Sequence, residues 1–103
     1  MIELAGARKL RIAVVTEAFL PQVNGVTNSV LRLLEHCKAE GHEVLIIAPE
    51  SDGAPTHYLD YKIKHVPSIA MKKLIPMGVP RKYLEPLIEG FAPDVIHLAS
   101  PIF

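Results

Sequence analysis

The sequence predicts an α/β fold built on an open, parallel sheet. Two short apolar runs, at residues 12–15 and 43–48, are typical of strands buried on both faces, and residues 94–99 form a third such strand. A segment with helical spacing separates the first two runs, which completes a βαβ unit with an expected right-handed crossover. Half of the 103 residues are hydrophobic, which is enough for the core of one compact domain.

The first strand is expected at residues 10–16, followed by a loop at 17–25 and a helix at 26–40. Asn24 or Thr27 is the expected N-cap of this helix, and Gly41 is the expected left-handed residue after its last turn. Spacings of three and four place five residues on the helix face that we expect to be buried: Val26, Val30, Leu33, Leu34 and Cys37.

The second strand, residues 43–48, stops at Pro49, and residues 50–60 read as a loop. Polar and apolar residues alternate in Tyr61–Val66, which predicts a strand with one exposed face at the edge of the sheet. Residues 67–80 show no clear period, and residues 81–90 predict a short helix limited by Pro86. The fourth strand, expected to be buried, covers residues 94–99.

This order of elements predicts the strand order 3-2-1-4. The switch point of the sheet then lies between the first and fourth strands, and open α/β sheets bind ligands at that point. The loop at residues 17–25 and the segment from Ser100 onward would flank the crevice. A doubly wound half-sheet normally continues further, so we expect the sequence to be part of a longer chain.

The loop before the helix carries neither the G-x-G-x-x-G fingerprint nor the P-loop motif, which disfavours ordinary dinucleotide binding and P-loop chemistry. It offers the N–H groups of Gly25, Val26 and Thr27, which could form a nest for a diphosphate. Alternatively, Gly25 serves only the close packing of helix on strand. The residues alone leave both roles open.

No catalytic constellation or metal site is predicted. The five histidines show no metal-ligand spacing, and adjacent His36 and Cys37 point in different directions on a helix. His97 lies within a strand expected to be buried, so we interpret it as a core histidine. No Ser-His-Asp or Cys-His arrangement can be assembled.

A basic segment without acidic residues runs from Tyr61 to Lys82. Apolar residues interleave its charges, so it predicts contact with an anionic membrane surface, although a solvated face would show the same pattern. Zero formal net charge and the lack of an aromatic platform argue against nucleic acid as a partner. Its basic residues are Lys62, Lys64, Lys72, Lys73, Arg81 and Lys82.

The single cysteine is consistent with a reducing, cytoplasmic setting. The sequence shows no secretory signal, and its apolar runs are far below the roughly 20 residues that a membrane span requires.

Three segments together resemble a known family: TEAFLPQVNGVTNSV at residues 16–30, GHEVLIIAP at 41–49 and PDVIHLASP at 93–101. They are similar to the N-terminal domain of family-four GT-B glycosyltransferases. The likeness is greatest to bacterial GDP-mannose-dependent α-mannosyltransferases that act on lipid acceptors. It covers nearly the whole chain and is weakest at residues 50–90.

The resemblance implies a Rossmann-like domain at residues 1–103 that forms the incomplete N-terminal half of a GT-B fold. The active site then lies between two domains, and the C-terminal donor-binding domain with its paired glutamates is absent. The implied reaction is a retaining transfer of mannose from GDP-mannose to a lipid or glycan acceptor, with no obligatory metal or other cofactor. The 103-residue chain alone should be inactive.

The resemblance also implies roles for particular residues. Asn24, Gly25, Val26 and Thr27 match the loop that approaches the donor diphosphate, although many members have Gly-Gly where this chain has Asn24-Gly25. Glu17 and Ser100, at the ends of central strands, are candidate contacts to acceptor or donor. No catalytic role passes to His97.

Two rival functions remain at this point. The chain could be a non-catalytic Rossmann-like binding module that docks on a partner or membrane through residues 61–82. A response-regulator-like α/β domain is poorly supported, because Glu17 is the only acidic residue at the end of the first strand. The enzyme hypothesis places the protein in the cytoplasm, peripherally at the inner face of the plasma membrane.

Overall fold

The computed structural model describes residues 9–67, 88 and 90–99. Their elements are β1 (Arg11–Thr16), α1 (Gly25–Glu40), β2 (Glu43–Pro49), β3 (His57–Tyr58), β4 (Tyr61–Val66) and β5 (Val95–Ala99). The irregular segment at 67–80 and the short helix expected at 81–90 fall almost wholly outside the described residues.

The sheet is open and mostly parallel, with the order β3-β4-β2-β1-β5. Strand β1 runs parallel to both β2 and β5, and β2 runs parallel to β4. The predicted order 3-2-1-4 is therefore confirmed for the four longer strands. Val14 at the centre of β1 pairs in register with Ile46 on one side and His97 on the other.

The predicted edge position of Tyr61–Val66 is wrong. The two-residue strand β3 pairs antiparallel with β4, joining His57 to Lys62 and Tyr58 to Tyr61. Leu59 and Asp60 make the turn, with φ of 52° and 70°. Positive φ at both central residues of the turn is typical of a tight hairpin. Because Leu59-Asp60 contains neither glycine nor asparagine, the sequence carries no signal for such a turn, and residues 50–60 were predicted as a loop.

Helix α1 ends at the predicted residue, Glu40, and begins at Gly25, one residue before the predicted start. Asn24 is the N-cap, with extended backbone, and its side chain accepts a hydrogen bond from the Thr27 N–H. Gly41 adopts the left-handed conformation (φ 78°). Its N–H donates to the Lys38 carbonyl at 3.1 Å, and the His42 N–H donates to the Cys37 carbonyl at 2.9 Å. This is the Schellman arrangement, which satisfies the last carbonyl groups of the helix.

Both faces of the central strands are buried, as the apolar runs predict. Alternate residues of β1 and β2 pack under α1, and the intervening ones form a second cluster with Val66 and the half-buried Ile88 and Phe91. On the helix, the buried residues are Thr27, Val30, Leu34 and Cys37. Thr27 thus replaces Val26 and Leu33, which were expected in the core and are only half-buried.

Strand β5 corrects a second expectation, because the fourth strand was predicted to be buried. Val95, Ile96 and Leu98 are 44%, 43% and 45% exposed. β5 is the outermost of the described strands on its side of the sheet. Within the described residues, the apolar composition that suggests a buried strand therefore belongs to an outermost one.

At its amino end β5 is tied to β1. The Asp94 carboxylate accepts from the Arg11 N–H at 2.9 Å, and the Asp94 N–H donates to the Arg11 carbonyl at 2.7 Å. The Arg11 guanidinium lies 4.4 Å above the Phe91 ring and pairs with Glu43 at 2.7 Å. These contacts fix the register of β5 against β1 at the amino end of β5.

We expect the chain to lose stability in alkali. Burial raises the pKa of the Cys37 thiol above its usual value of 9.0, and burial together with Cys37 raises the pKa of Tyr61 above 10.0. The unfolded chain therefore releases both protons at lower pH than the folded chain, so the free energy of unfolding falls as pH rises above about 9. Urea unfolding at pH 8 and pH 10 measures the loss.

Tyr61→Phe is the matched control, because it removes one of the two groups along with its 2.7 Å hydrogen bond to the His42 carbonyl. The variant should have a lower free energy of unfolding than the unsubstituted chain at pH 8. Its free energy of unfolding should, however, fall less between pH 8 and pH 10. An equal pH dependence in both proteins would contradict the assignment to Tyr61.

Candidate functional site

A cleft of about 410 Å³ opens between the first turn of α1 and the carboxyl end of β5. Strand β1 has β2 on one side and β5 on the other, and the cleft lies at this change of winding direction, where open α/β sheets bind ligands. The residues that line it are Gly25, Val26, Ser29, His97, Leu98 and Ala99.

The loop that leads into the cleft is anchored at its start. Phe19 is buried and meets the Tyr58 ring edge-on, with ring centroids 6.1 Å apart. The buried Thr16 hydroxyl donates to the Ala18 carbonyl at 2.7 Å. The loop includes a cis peptide bond between Leu20 and Pro21. These contacts place the beginning of α1 relative to the sheet.

Asn24 and Thr27 shape the entry to the helix. The Thr27 N–H donates to the Asn24 side-chain oxygen at 3.0 Å, and the Thr27 hydroxyl donates to the Gln22 carbonyl at 2.9 Å. Thr27 is fully buried. The expected nest of three N–H groups is thereby reduced to two, because the cap already occupies the donor of Thr27.

The N–H groups of Gly25 and Val26 remain. Within the described residues neither has an acceptor, and both residues line the cleft. A Cβ added to Gly25 would meet no described atom within 4 Å. Among the described residues the space beside this glycine is open, which disfavours the packing explanation and leaves room for a ligand to approach the backbone.

Glu17 lies where the sequence places it, at the carboxyl end of β1. Its N–H donates to the Ala99 carbonyl at 3.2 Å, which continues the β1–β5 ladder by one residue. Its side chain is half-buried and is not among the residues that line the cleft. Ser100 lies outside the described residues.

The basic segment is described only in part. Lys62 is exposed and Lys64 is half-buried on β4, whereas Lys72, Lys73, Arg81 and Lys82 lie outside the described residues. None of the described helices is long and apolar enough to cross a membrane.

His97 is not the core histidine that the sequence suggests. It is exposed, and with Ser29, Leu98 and Ala99 it belongs to the cleft residues that sequence reasoning missed. The available signal was topological. The order 3-2-1-4 puts the fourth strand beside the crevice, so its last residues are lining candidates whatever their hydropathy.

A second cavity, of about 540 Å³, lies at the loop after β2. Glu50, Ser51, Asp52, Ala54, Thr56 and His65 line it. The part of the chain that the structure describes contains no group of three or more histidine, cysteine or acidic residues arranged to hold a metal ion.

Asn24→Ala should destabilise the chain by about 1 kcal/mol, because the Thr27 N–H would lose its cap in a buried setting. Urea unfolding followed by circular dichroism measures the change. Asn28→Ala, on the exposed side of the same helix, is the matched control and should change stability by less than about 0.5 kcal/mol. Equal effects at both positions would contradict the capping role.

Comparison with known proteins identifies relatives that match most of the chain. A profile of the family described as Glycosyltransferase Family 4 matches residues 23–103. The chain is 48% identical over 99 residues to a GDP-mannose-dependent alpha-mannosyltransferase of Corynebacterium glutamicum, which covers 91% of this chain and 24% of the relative. A Mycolicibacterium smegmatis protein of the same name is 48% identical over 98 residues, 89% of this chain and 26% of the relative.

A more distant match concerns only part of the chain. An alpha-monoglucosyldiacylglycerol synthase of Acholeplasma laidlawii is 48% identical over 40 residues, 39% of this chain and 10% of the relative. No solved structure matches. The chain spans about a quarter of the length of the two mannosyltransferases described above.

Proposed function

This chain belongs to glycosyltransferase family 4, and we propose that it forms the N-terminal, acceptor-side part of an enzyme that transfers mannose from GDP-mannose to a lipid or glycan acceptor. The observation that carries the proposal is the cleft at the switch point, where two N–H groups of α1 lack acceptors among the described residues. Both belong to the segment that matches the family.

The chemical task of these N–H groups follows from their position. When the sugar leaves its donor, negative charge grows on the departing diphosphate. The N–H groups of Gly25 and Val26, with the positive end of the helix dipole behind them, would stabilise that charge. Because Asn24 and Thr27 fix the turn beforehand, the donors need no rearrangement when the charge develops.

The acceptor would be held beside the same cleft. Glu17 and Ser100 follow neighbouring strands at their carboxyl ends, and we propose that they contact the acceptor or the donor sugar. A hydroxyl held close to the reacting carbon of the sugar gains reactivity from positioning alone. The paired glutamates expected in the C-terminal domain complete the donor site, and transfer proceeds without a metal ion.

We also propose that the enzyme works at the inner surface of the plasma membrane. The name of the Acholeplasma relative refers to a diacylglycerol lipid, and an enzyme with a lipid acceptor has to reach the bilayer. Lys62 is exposed on β4, and with the other basic residues of segment 61–82 it would contribute about 1 kcal/mol per charge on an anionic surface.

Isothermal titration with GDP-mannose and GDP tests the proposal, using this chain and separately the protein made from the complete reading frame. We expect only the protein from the complete reading frame to bind. In a separate assay, its rate of mannose transfer should be unaffected by EDTA. Failure of both proteins to bind would overturn the mannosyl donor. Tight binding by the 103-residue chain alone would contradict the acceptor-side assignment. Loss of transfer in EDTA would contradict the metal-free reaction.

A further inference from the structure

We propose that His97 binds phosphoryl oxygens of the ligand in the cleft, from the side of β5 that faces α1. This inference rests on the proposed function and adds to it a side chain from the strand opposite the glycine loop. His97 lines the cleft together with Gly25, Val26 and Ser29.

The register of the sheet decides where His97 points. It pairs with Val14 on the neighbouring parallel strand, and paired residues of adjacent strands project from the same face. Val14 packs in the cluster that contains Val30 and Leu34 of α1. The imidazole therefore lies on the helix side of β5, across the cleft from the first turn of α1.

The polar groups that line the cleft suit an anion. The backbone N–H groups of Gly25 and Val26 are donors, the Ser29 hydroxyl can donate, and the imidazole presents an N–H in either tautomer. Among the described residues that line the cleft there is no carboxylate to compete for these donors. Phosphoryl oxygens accept several hydrogen bonds at once, so a phosphate-bearing ligand matches this set.

The imidazole is also free to bind. His97 is exposed, and in the described part of the chain no hydrogen bond or ion pair engages its ring. A histidine that served the core would instead be enclosed and bonded to a neighbouring polar group. Its two ring nitrogens are therefore available to a ligand in the cleft.

The test uses the protein from the complete reading frame, titrated with GDP and with guanosine. His97→Ala should weaken GDP binding about tenfold or more, because a hydrogen bond to a charged group is lost, and should leave guanosine binding unchanged. His36→Ala is the matched control, since His36 is exposed on α1 and does not line the cleft. It should leave both affinities unchanged.

Unchanged GDP affinity in His97→Ala would overturn this inference while leaving the proposed function standing. Equal weakening for GDP and guanosine would overturn the phosphoryl contact. Absence of GDP binding by the unsubstituted protein would overturn the inference together with the proposed donor.

A measurement on the unsubstituted protein avoids any effect of the substitution on folding. With isotope-labelled histidine, the ring resonances of His97 should move when GDP is added and stay in place when guanosine is added, and those of His36 should stay in place throughout. An immobile His97 resonance at GDP saturation would also overturn the inference.

Discussion

Gly25→Val should reduce the proposed mannose transfer by the complete protein at least a hundredfold without lowering its melting temperature. The space beside Gly25 is open to the cleft, so valine would occupy the volume that a diphosphate needs to reach the N–H groups of residues 25 and 26. A donor that the diphosphate cannot reach is lost to the reaction, and loss of one such donor commonly lowers turnover by about 10² to 10³. Initial rates with GDP-mannose, with thermal unfolding alongside, measure both effects.

Two controls separate ligand exclusion from damage to the helix. Gly25→Ala places a smaller group in the same space and should have an intermediate effect on rate. Asn28→Val introduces the same β-branched side chain at an exposed position of α1 that does not line the cleft, and should leave the rate unchanged. Wild-type transfer rates in Gly25→Val would contradict the assignment of the diphosphate to this loop.

The central βαβ unit could be predicted because each of its signals is local. A run such as residues 12–15 suits a strand covered on both sides, and Asn24 and Gly41 are residue types that begin and end helices. The strand order followed from these elements together with the general rules for parallel sheets. Family membership followed from three sequence segments rather than from periodicity.

The edges of the sheet could not be predicted from local pattern. Strand β3 has only two residues, and the turn after it, Leu59-Asp60, lacks the residue types that favour positive φ. Strand β5 is as apolar as a central strand, yet it has no described neighbour on its outer side. Hydropathy reports what a residue prefers, whereas exposure depends on which element comes next to it.

The cleft shows the same limit for function. Val26 and Thr27 were equivalent candidates as N–H donors, but the cap formed by Asn24 occupies only the N–H of Thr27. Helix periodicity placed Val26 in the core, where the structure puts Thr27, because the hydroxyl of Thr27 finds an acceptor in the loop at Gln22. A polar residue was therefore buried at a position that hydrophobic periodicity assigns to its neighbour.

Leu34→Ala should cost about 2 to 5 kcal/mol of stability, a large part of what holds a domain of this size folded. Leu34 is completely buried between α1 and the sheet, in the cluster that contains Val14 and Ile46. Urea unfolding of the chain measures the loss.

Leu31→Ala is the matched control, since it removes the same atoms from a half-buried position of the same helix. It should cost less than half as much, because part of the deleted surface already faces water. Equal losses would contradict the packing of α1 described above. Leu34 lies outside the cleft lining, so Leu34→Ala in the complete protein should keep its affinity for GDP below the unfolding temperature. Gly25→Val should show the converse, with unchanged stability and lost GDP binding. The pair of variants therefore separates residues that pack α1 against the sheet from residues that bind the ligand at the first turn of α1.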